Sequence, residues 1–324
     1  VGIDARSLVH NAGGSATYVR NLLRCLTCLE PLSASVPSNN LVWNNTRVPF
    51  AQLVRRWDVY HAAAYTGPLI SFCPTVVTAH DVSYLASDDF YPYKTGRVRR
   101  GYYSASLRKA DRIIVSSSFS AREIARLRPE LVPKVRIIYL GVAAQFHRDE
   151  GGAERIKMEL ALPPRFLLHV GDLHTRRNPE LLVRASERLG IPLVLVGRKL
   201  KGCGPLPESV RHLNSLSVDQ LAAVYNAALL LLSVSEYEGF GLPLLEAMAC
   251  GTPVVAANRS CYPEICGGAA VLVEPQLDAV CEGVLQAISC RDELRGRGVE
   301  HAAGFAWEKT AAETLEVYRE AAGK

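Results

Sequence analysis

The residues best able to do chemistry lie between positions 233 and 255, S-V-S-E-Y-E-G-F-G-L-P-L-L-E-A-M-A-C-G-T-P-V-V. A strand pattern ends near Ser233. A glycine-rich loop follows with Glu238, Gly239 and Gly241, and Pro243 suits the first turn of a helix. A helix start presents unpaired N–H groups and a positive dipole end, which together suit a phosphate. Gly239 and Gly241 let a ligand approach the backbone closely. Glu238 on the loop and Glu246 one turn into the helix are two carboxylates near that start, each able to accept paired hydroxyl hydrogen bonds. Acidic side chains also stabilise a helix start without any ligand, so the pair alone is not diagnostic.

Such a loop needs a sheet to hold it, and the chain supplies the pattern for two. Short β-branched runs alternate with helical stretches, which marks βαβ units and parallel sheets. In the front half, strands are predicted at 74–79, 112–115 and 135–138. Helices are predicted at 18–29, 91–109 and 120–126, the last capped by Ser118 or Ser120. In the back half, strands are predicted at 166–170, 192–196, 229–233 and 253–256. Helices are predicted at 179–189, 217–227, 242–248, 283–289 and 307–321. Ser217 and Gln220 have capping-box spacing. Residues 30–45 carry no strand pattern, so the first domain reads as trimmed or as lacking a segment there. Residues 141–152, G-V-A-A-Q-F-H-R-D-E-G-G, read as the connection between domains. The predicted architecture is α/β, two Rossmann-like domains, spanning 1–148 and 149–306. A final helix at 307–324 is expected to pack back toward the first. Ligands of such sheets bind outside the carboxyl ends of the strands, so two facing domains would hold the site in a cleft.

The composition fits this. The chain has 324 residues, 48% apolar and 21% charged, which excludes disorder, collagen and coiled coil as the main state. No apolar run approaches the ~20 residues of a spanning helix. The formal charge of +5 divides unevenly, +8 over residues 1–150 and −3 over 151–324. A basic front half suits an acidic partner, phosphates or an anionic membrane surface, although a solvated basic face gives the same count. Nine scattered Cys, an odd number, read as reduced thiols in a cytoplasm, and Cys25-x-x-Cys28 lacks the second pair a zinc site needs. No signal-peptide pattern opens the chain, which starts on Val1 rather than Met.

The 233–255 string resembles the E-x7-E segment of retaining GT-B glycosyltransferases, most closely glycosyltransferase family 4. The resemblance runs through the whole chain in order. It includes G-G-S-A-T-Y near the start, A-H-D at 79–81, V-S-S-S-F-S at 115–120, G-D-L-H-T-R-R-N at 171–178, V-G-R at 196–198 and G-G-A-A-V-L-V-E-P at 267–275. It implies the GT-B fold and roles residue by residue. Glu238 would contact donor-sugar hydroxyls and Glu246 the nucleotide ribose, while Phe240, Gly241 and Leu242 would offer backbone amides to sugar and diphosphate. Arg177 stands where the family usually has a Lys that grips the diphosphate. Asp172 stands where many members have a further Arg, so the second cation falls to Arg176, Arg198 or Lys199. Gly13 and Gly14 would lie against donor phosphate and acceptor, and His80 near the sugar's primary hydroxyl. Ser117 matches a serine near the acceptor or interdomain region. Asn214, Ser215 and Tyr225 border the base pocket, with only backbone contacts expected.

The resemblance therefore implies a retaining, metal-independent hexosyltransferase without a cofactor. The donor is a nucleotide sugar, GDP-mannose or a UDP-hexose with mannose preferred, and the acceptor a glycan or lipid-linked molecule of polysaccharide or glycoconjugate synthesis. Asp88-Asp89 invites a metal reading, but adjacent Asp in this context do not match a D-x-D site. The basic stretch at 94–112, with Tyr102 and Tyr103, suits anionic lipid at the inner face of the plasma membrane. No nucleic-acid motif is present. Two other readings remain: a GT-B nucleotide-sugar epimerase, which usually lacks this E-x7-E string, and a degenerate sugar-nucleotide-binding protein, which would have lost the Glu pair or the basic residue.

Overall fold

The computed structural model describes residues 1–10, 13–33, 40–87, 96–200 and 206–323. Asp88, Asp89 and the first two residues of the 94–112 stretch lie outside them. The chain divides into two compact units, Val1–Gly141 with Ala306–Lys324, and Val142–Phe305.

The first unit is built on six parallel strands: β1 (Gly2–Asp4), β2 (Glu30–Leu32), β3 (Tyr60–Ala62), β4 (Thr75–Ala79), β5 (Arg112–Val115) and β6 (Val135–Ile137), in the order β2-β1-β3-β4-β5-β6. β4 reads T-V-V-T-A and is buried at every position, as a parallel strand covered on both faces must be. The chain starts at β1, steps out to β2, then crosses back to β3. The sheet therefore has its switch point between β1 and β3.

β2 corrects the expectation of no strand after residue 29. Its sequence, E-P-L, has a Pro at the centre, which removes a donor and hides the strand pattern. An edge strand tolerates that, and Glu30 N still donates to Val1 O at 2.8 Å. The helix Ser118–Leu127 is capped not by Ser118 or Ser120 but by Ser117, whose hydroxyl accepts from Ser120 N. The helix Trp307–Ala322 buries Trp307, Thr310, Ala311, Thr314, Val317 and Tyr318, one stripe at helical spacing. Its Tyr318 hydroxyl meets His61 Nδ1 at 2.7 Å. His61 Nε2 meets Thr78 Oγ1 at 2.7 Å, and Tyr18 OH meets the same Thr78 oxygen at 3.2 Å. Burial drives the His61 pKa down to about 3, so this core histidine is neutral.

The second unit has β7 (Leu167–Val170), β8 (Leu193–Val196), β9 (Val210–Leu213), β10 (Leu230–Ser233), β11 (Val254–Ala257) and β12 (Val271–Val273), all parallel, in the order β12-β11-β10-β7-β8-β9. The chain winds outward from β7 through β8 and β9, returns, and winds outward through β10 to β12. The switch point lies between β7 and β10. Leu167, Leu195, Leu230, Leu232 and Val255 fill the core between sheet and helices, each worth ~1.5–3 kcal/mol when removed from water. The 141–152 segment is not all connection. Val142 N already bonds Phe305 O at 2.9 Å, and Asp149 caps a helix at Glu150–Glu159. The units accordingly divide at 141/142 and 305/306, not at 148/149 and 306/307.

Candidate active site

At the switch point of the second unit, the loop leaving β7 faces the loop leaving β10. Gly171, directly after β7, has φ +142°, and a Cβ there would lie 2.1 Å from Arg177 Nη1. The glycine thus makes the space into which Arg177 folds back, its Nη1 donating to Asp172 O at 3.0 Å. A short turn, Thr175–Arg177, is capped by His174 and ends at Asn178 in the left-handed region, φ 51°. The Asn178 amide donates to Val234 O at 2.9 Å and Glu236 Oε1 at 3.0 Å, and Glu236 N donates to Arg176 O at 2.8 Å. These three bonds latch one loop to the other.

The latch brings Arg176, Arg177 and Glu238 together. Arg177 Nε donates to Glu238 Oε1 at 2.7 Å, and Arg176 Nη2 lies 3.7 Å from Oε2. All three side chains are largely buried. Burial by itself would raise the Glu238 pKa. Arg177 and Arg176 outweigh it and hold the carboxylate at about 2. The Glu238 amide is fixed by donating to Ser260 Oγ at 3.2 Å. Beneath the cluster, His169 Nδ1 bonds Leu232 O at 3.0 Å, while Nε2 has no hydrogen-bond partner among the described residues. Burial and the nearby Arg177 charge lower the His169 pKa to about 4, so it adds no third positive charge.

Gly241, φ +93°, opens the helix Leu242–Ala249 with Pro243 in its first turn. A Cβ on Gly241 would meet the Tyr262 ring at 2.9 Å, and Tyr262 OH bonds Ser233 Oγ at 2.7 Å. Phe240 is buried edge-on against Phe305, ring centres 6.2 Å apart. Leu242 therefore stands at the positive end of the helix, beside the carboxyl end of β10. One turn on, Glu246 is buried and accepts from Tyr225 OH at 2.9 Å. Burial pushes its pKa up to about 7, against the lowering effect of that bond. The Tyr225 hydroxyl thus orients Glu246. Arg198 grips Asp172 through two bonds, 3.1 and 2.5 Å, and half of its side chain is exposed. A carboxylate thus already occupies that candidate cation.

Gly13, Gly14 and His80 lie in the first unit. Gly13 is the extended N-cap of the helix Gly14–Cys25, and the space where Gly14 would carry a Cβ is open. His80, at the carboxyl end of β4, bonds Ala63 O through Nε2 at 2.9 Å and sits between Tyr18 and Tyr65, centroids 5.2 and 5.4 Å away. Burial lowers its pKa. Sequence reasoning missed Tyr65, held at φ +64°, a backbone conformation costly for an aromatic residue. Its hydroxyl reaches Asp81 Oδ2 at 3.4 Å. In the basic helix Arg97–Lys109 the two tyrosines turn inward, Tyr102 to Gly67 O and Tyr103 to Asp81 O, rather than out toward a surface. No cluster of three or more His, Cys, Asp or Glu suited to a metal occurs among the described residues, nor any helix long and apolar enough to cross a membrane.

Residues 153–303 match the family model of glycosyl transferases group 1, and residues 32–146 that of glycosyltransferase family 4. An Escherichia coli relative, O-antigen chain mannosyltransferase B, is 31% identical over 75% of this chain and 70% of its own. D-inositol 3-phosphate glycosyltransferase of Mycobacteroides abscessus is 31% identical over 65% of this chain. The serotype-specific mannosyltransferase WbdA of E. coli is 28% identical over 75%. The chain spans about half the length of the second relative and a third of the third. Two solved structures share the fold: sucrose-phosphate synthase from Thermosynechococcus elongatus, at TM-score 0.76 and 20% identity over 98% of both chains, and Anabaena HepE in complex with UDP and glucose, at 0.77 and 17% over 97% and 98%. With two parallel six-stranded α/β units and these matches, the chain belongs to the group 1, family 4 type GT-B glycosyltransferases.

Proposed function

We propose that this protein transfers a hexose, mannose by preference, from a nucleotide-diphosphate sugar to a glycan or lipid-linked acceptor, with retention at the anomeric carbon. The observation that carries the reading is the Arg176–Arg177–Glu238 cluster, latched at the switch point beside the helix at Leu242. The bond from the anomeric carbon to the diphosphate breaks. The acceptor oxygen bonds to that carbon on the same face, and its proton passes to the departing phosphate oxygen. The two guanidiniums and the helix end meet the charge that develops on the diphosphate, preorganised rather than recruited. Glu238, ionised and held by Arg177, accepts sugar hydroxyls. Glu246 accepts ribose hydroxyls.

The mannose preference rests on two matched relatives named as mannosyltransferases. UDP-hexoses are the competing donors, since the matched Anabaena structure holds UDP and glucose. Arg99 and Lys109, exposed on the basic helix, suit an acceptor at an anionic cytoplasmic membrane face. Thermal-shift measurements with GDP-mannose and UDP-glucose decide the donor, because a ligand at 100 times its Kd adds ~2.7 kcal/mol to the folded state. Transfer assays on Arg177→Ala and Glu238→Gln test the site. Folded variants that keep full activity sink the reading.

A further inference from the structure

In the first unit, the helix Val48–Arg55 is amphipathic in reverse. It buries Val48, Ala51 and Gln52 and turns Phe50, Leu53 and Val54 outward, at spacings of three and four that share one face. The buried Gln52 draws a loop beside them. Its Oε1 accepts from Phe72 N at 2.9 Å and its Nε2 donates to Ser71 Oγ at 2.8 Å. Asn45 Oδ1 accepts from Leu69 N at 2.9 Å. Ile70 and Phe72 thereby join the helix face, and all five apolar side chains are 55–65% exposed. Single exposed apolar residues are ordinary, whereas five gathered together mark a surface made to be covered.

The charge around this face has one sign. Between Glu30 and Asp81 the sequence holds three Arg, no Lys and a single carboxylate, Asp58. Arg55 pairs with Glu30. Arg47 and Arg56, at the two ends of the helix, are exposed, and neither side chain has an ion-pair or hydrogen-bond partner among the described residues. Arg56 closes the helix in the left-handed region, φ 50°, a conformation costly for any side chain and ordinarily left to Gly or Asn. The basic helix Arg97–Lys109 is fastened alongside. Asn44 Nδ2 donates to Tyr102 OH at 2.9 Å, and that hydroxyl donates to Gly67 O at 2.9 Å. One turn before Tyr102, Val98 is 78% exposed, and Arg99 next to it is exposed too.

We propose that the face formed by Phe50, Leu53, Val54, Ile70 and Phe72, rimmed by Arg47 and Arg56, docks the first unit onto an anionic lipid bilayer. The apolar side chains enter the acyl boundary while the guanidiniums stay among the headgroup phosphates. A second copy of the chain fits less well, because a two-fold interface here would bring the arginine rims of both copies together. Of the proposed function this inference shares only the membrane-facing acceptor, and the donor site plays no part in it.

Co-sedimentation of the full chain with vesicles of phosphatidylglycerol and phosphatidylcholine, against phosphatidylcholine alone, tests this. Wild type should pellet with the mixed vesicles and much less with the neutral ones. Phe50→Ser combined with Phe72→Ser should weaken that binding more than ~ten-fold without lowering the melting temperature, since both side chains are exposed. Arg47→Gln should weaken it roughly five-fold. Arg56→Gly should raise the melting temperature while weakening vesicle binding, a combination that relief of backbone strain alone does not produce. Leu53→Trp should shift its emission to the blue on mixed vesicles, which reports entry of this face itself. Arg177→Ala should pellet as wild type even where transfer is lost, so failure of the donor site and failure of the docking face are read apart. Wild type left in the supernatant, or the double serine variant pelleting as wild type, overturns the proposal. Equal binding to neutral and mixed vesicles overturns the anionic assignment. A wild-type dimer in sedimentation velocity that the serine variant abolishes, without vesicle binding, overturns it in favour of a second copy.

Discussion

Glu246→Gln should make the free protein more stable and the donor complex weaker. Glu246 is 8% exposed and its pKa rises from 4.5 to about 7, because burial penalises the charged form. At ~1.4 kcal/mol per pH unit, holding it ionised in the fold costs on the order of 3 kcal/mol. The sign follows from proton counts. Below pH 4.5 the carboxyl is protonated whether the chain is folded or not, and wild type loses nothing. Between 4.5 and 7 the folded state binds the proton that the unfolded state releases, so stability falls as pH rises. Above 7 the loss is complete and constant. Gln carries no charge but keeps an oxygen to accept from Tyr225 OH. The variant should match wild type at pH 4 and exceed it at pH 8 by on the order of 3 kcal/mol, a rise of ~6–12 °C in melting temperature. Ribose hydroxyls bind best to the ionised form, so wild-type affinity for the nucleotide should strengthen as pH rises through 7, and the variant's should not. Scanning calorimetry and nucleotide titration at pH 4, 6 and 8 check both arms. A variant less stable than wild type at pH 8, or equal in nucleotide affinity there, refutes the assignment.

Arg177→Ala leaves Glu238 buried with Arg176 alone, and denaturant melts should show ~3–5 kcal/mol lost at pH 7. Because the Glu238 pKa is depressed to about 2, the wild-type advantage is full above 4.5 and shrinks as pH falls toward 2. Gly241→Ala forces a side chain into φ +93° against the Tyr262 ring, so melts should show more than ~1 kcal/mol lost and donor titrations should weaken. Tyr318→Phe strips His61 Nδ1 of its partner in a dry core, and chemical unfolding should report ~1–3 kcal/mol lost from the first unit.

What the sequence disclosed was local. β4 stood out because four of its five residues are β-branched and β8 because its run is apolar throughout, and the Ser217–Gln220 capping box was legible because both bonds close within four residues. β3 went unseen because Y-H-A carries a polar centre, and what makes His61 tolerable there is Tyr318, 257 residues away. β9, V-R-H-L, is half exposed on an edge and has too few apolar residues to declare itself. At the site, motif resemblance singled out Glu238 and Arg177, while the structure supplied their ion pair and the Asn178 latch behind it. Tyr225 was legible as an aromatic residue on a helix. That its hydroxyl governs Glu246 depends on how two helices meet, which spacing does not encode.

The division of the chain has a consequence for synthesis. The second unit is one continuous segment, whereas the first is closed by residues that follow it. Everything the second unit needs leaves the ribosome before the helix Trp307–Ala322 does. At ~5–20 residues per second, the front part of the first unit waits on the order of 10 s without the helix that covers Thr78 and pairs His61. During that interval His61 lacks its hydroxyl partner and β4 lacks part of its cover. The core of the first unit therefore cannot close until the second unit has been synthesised.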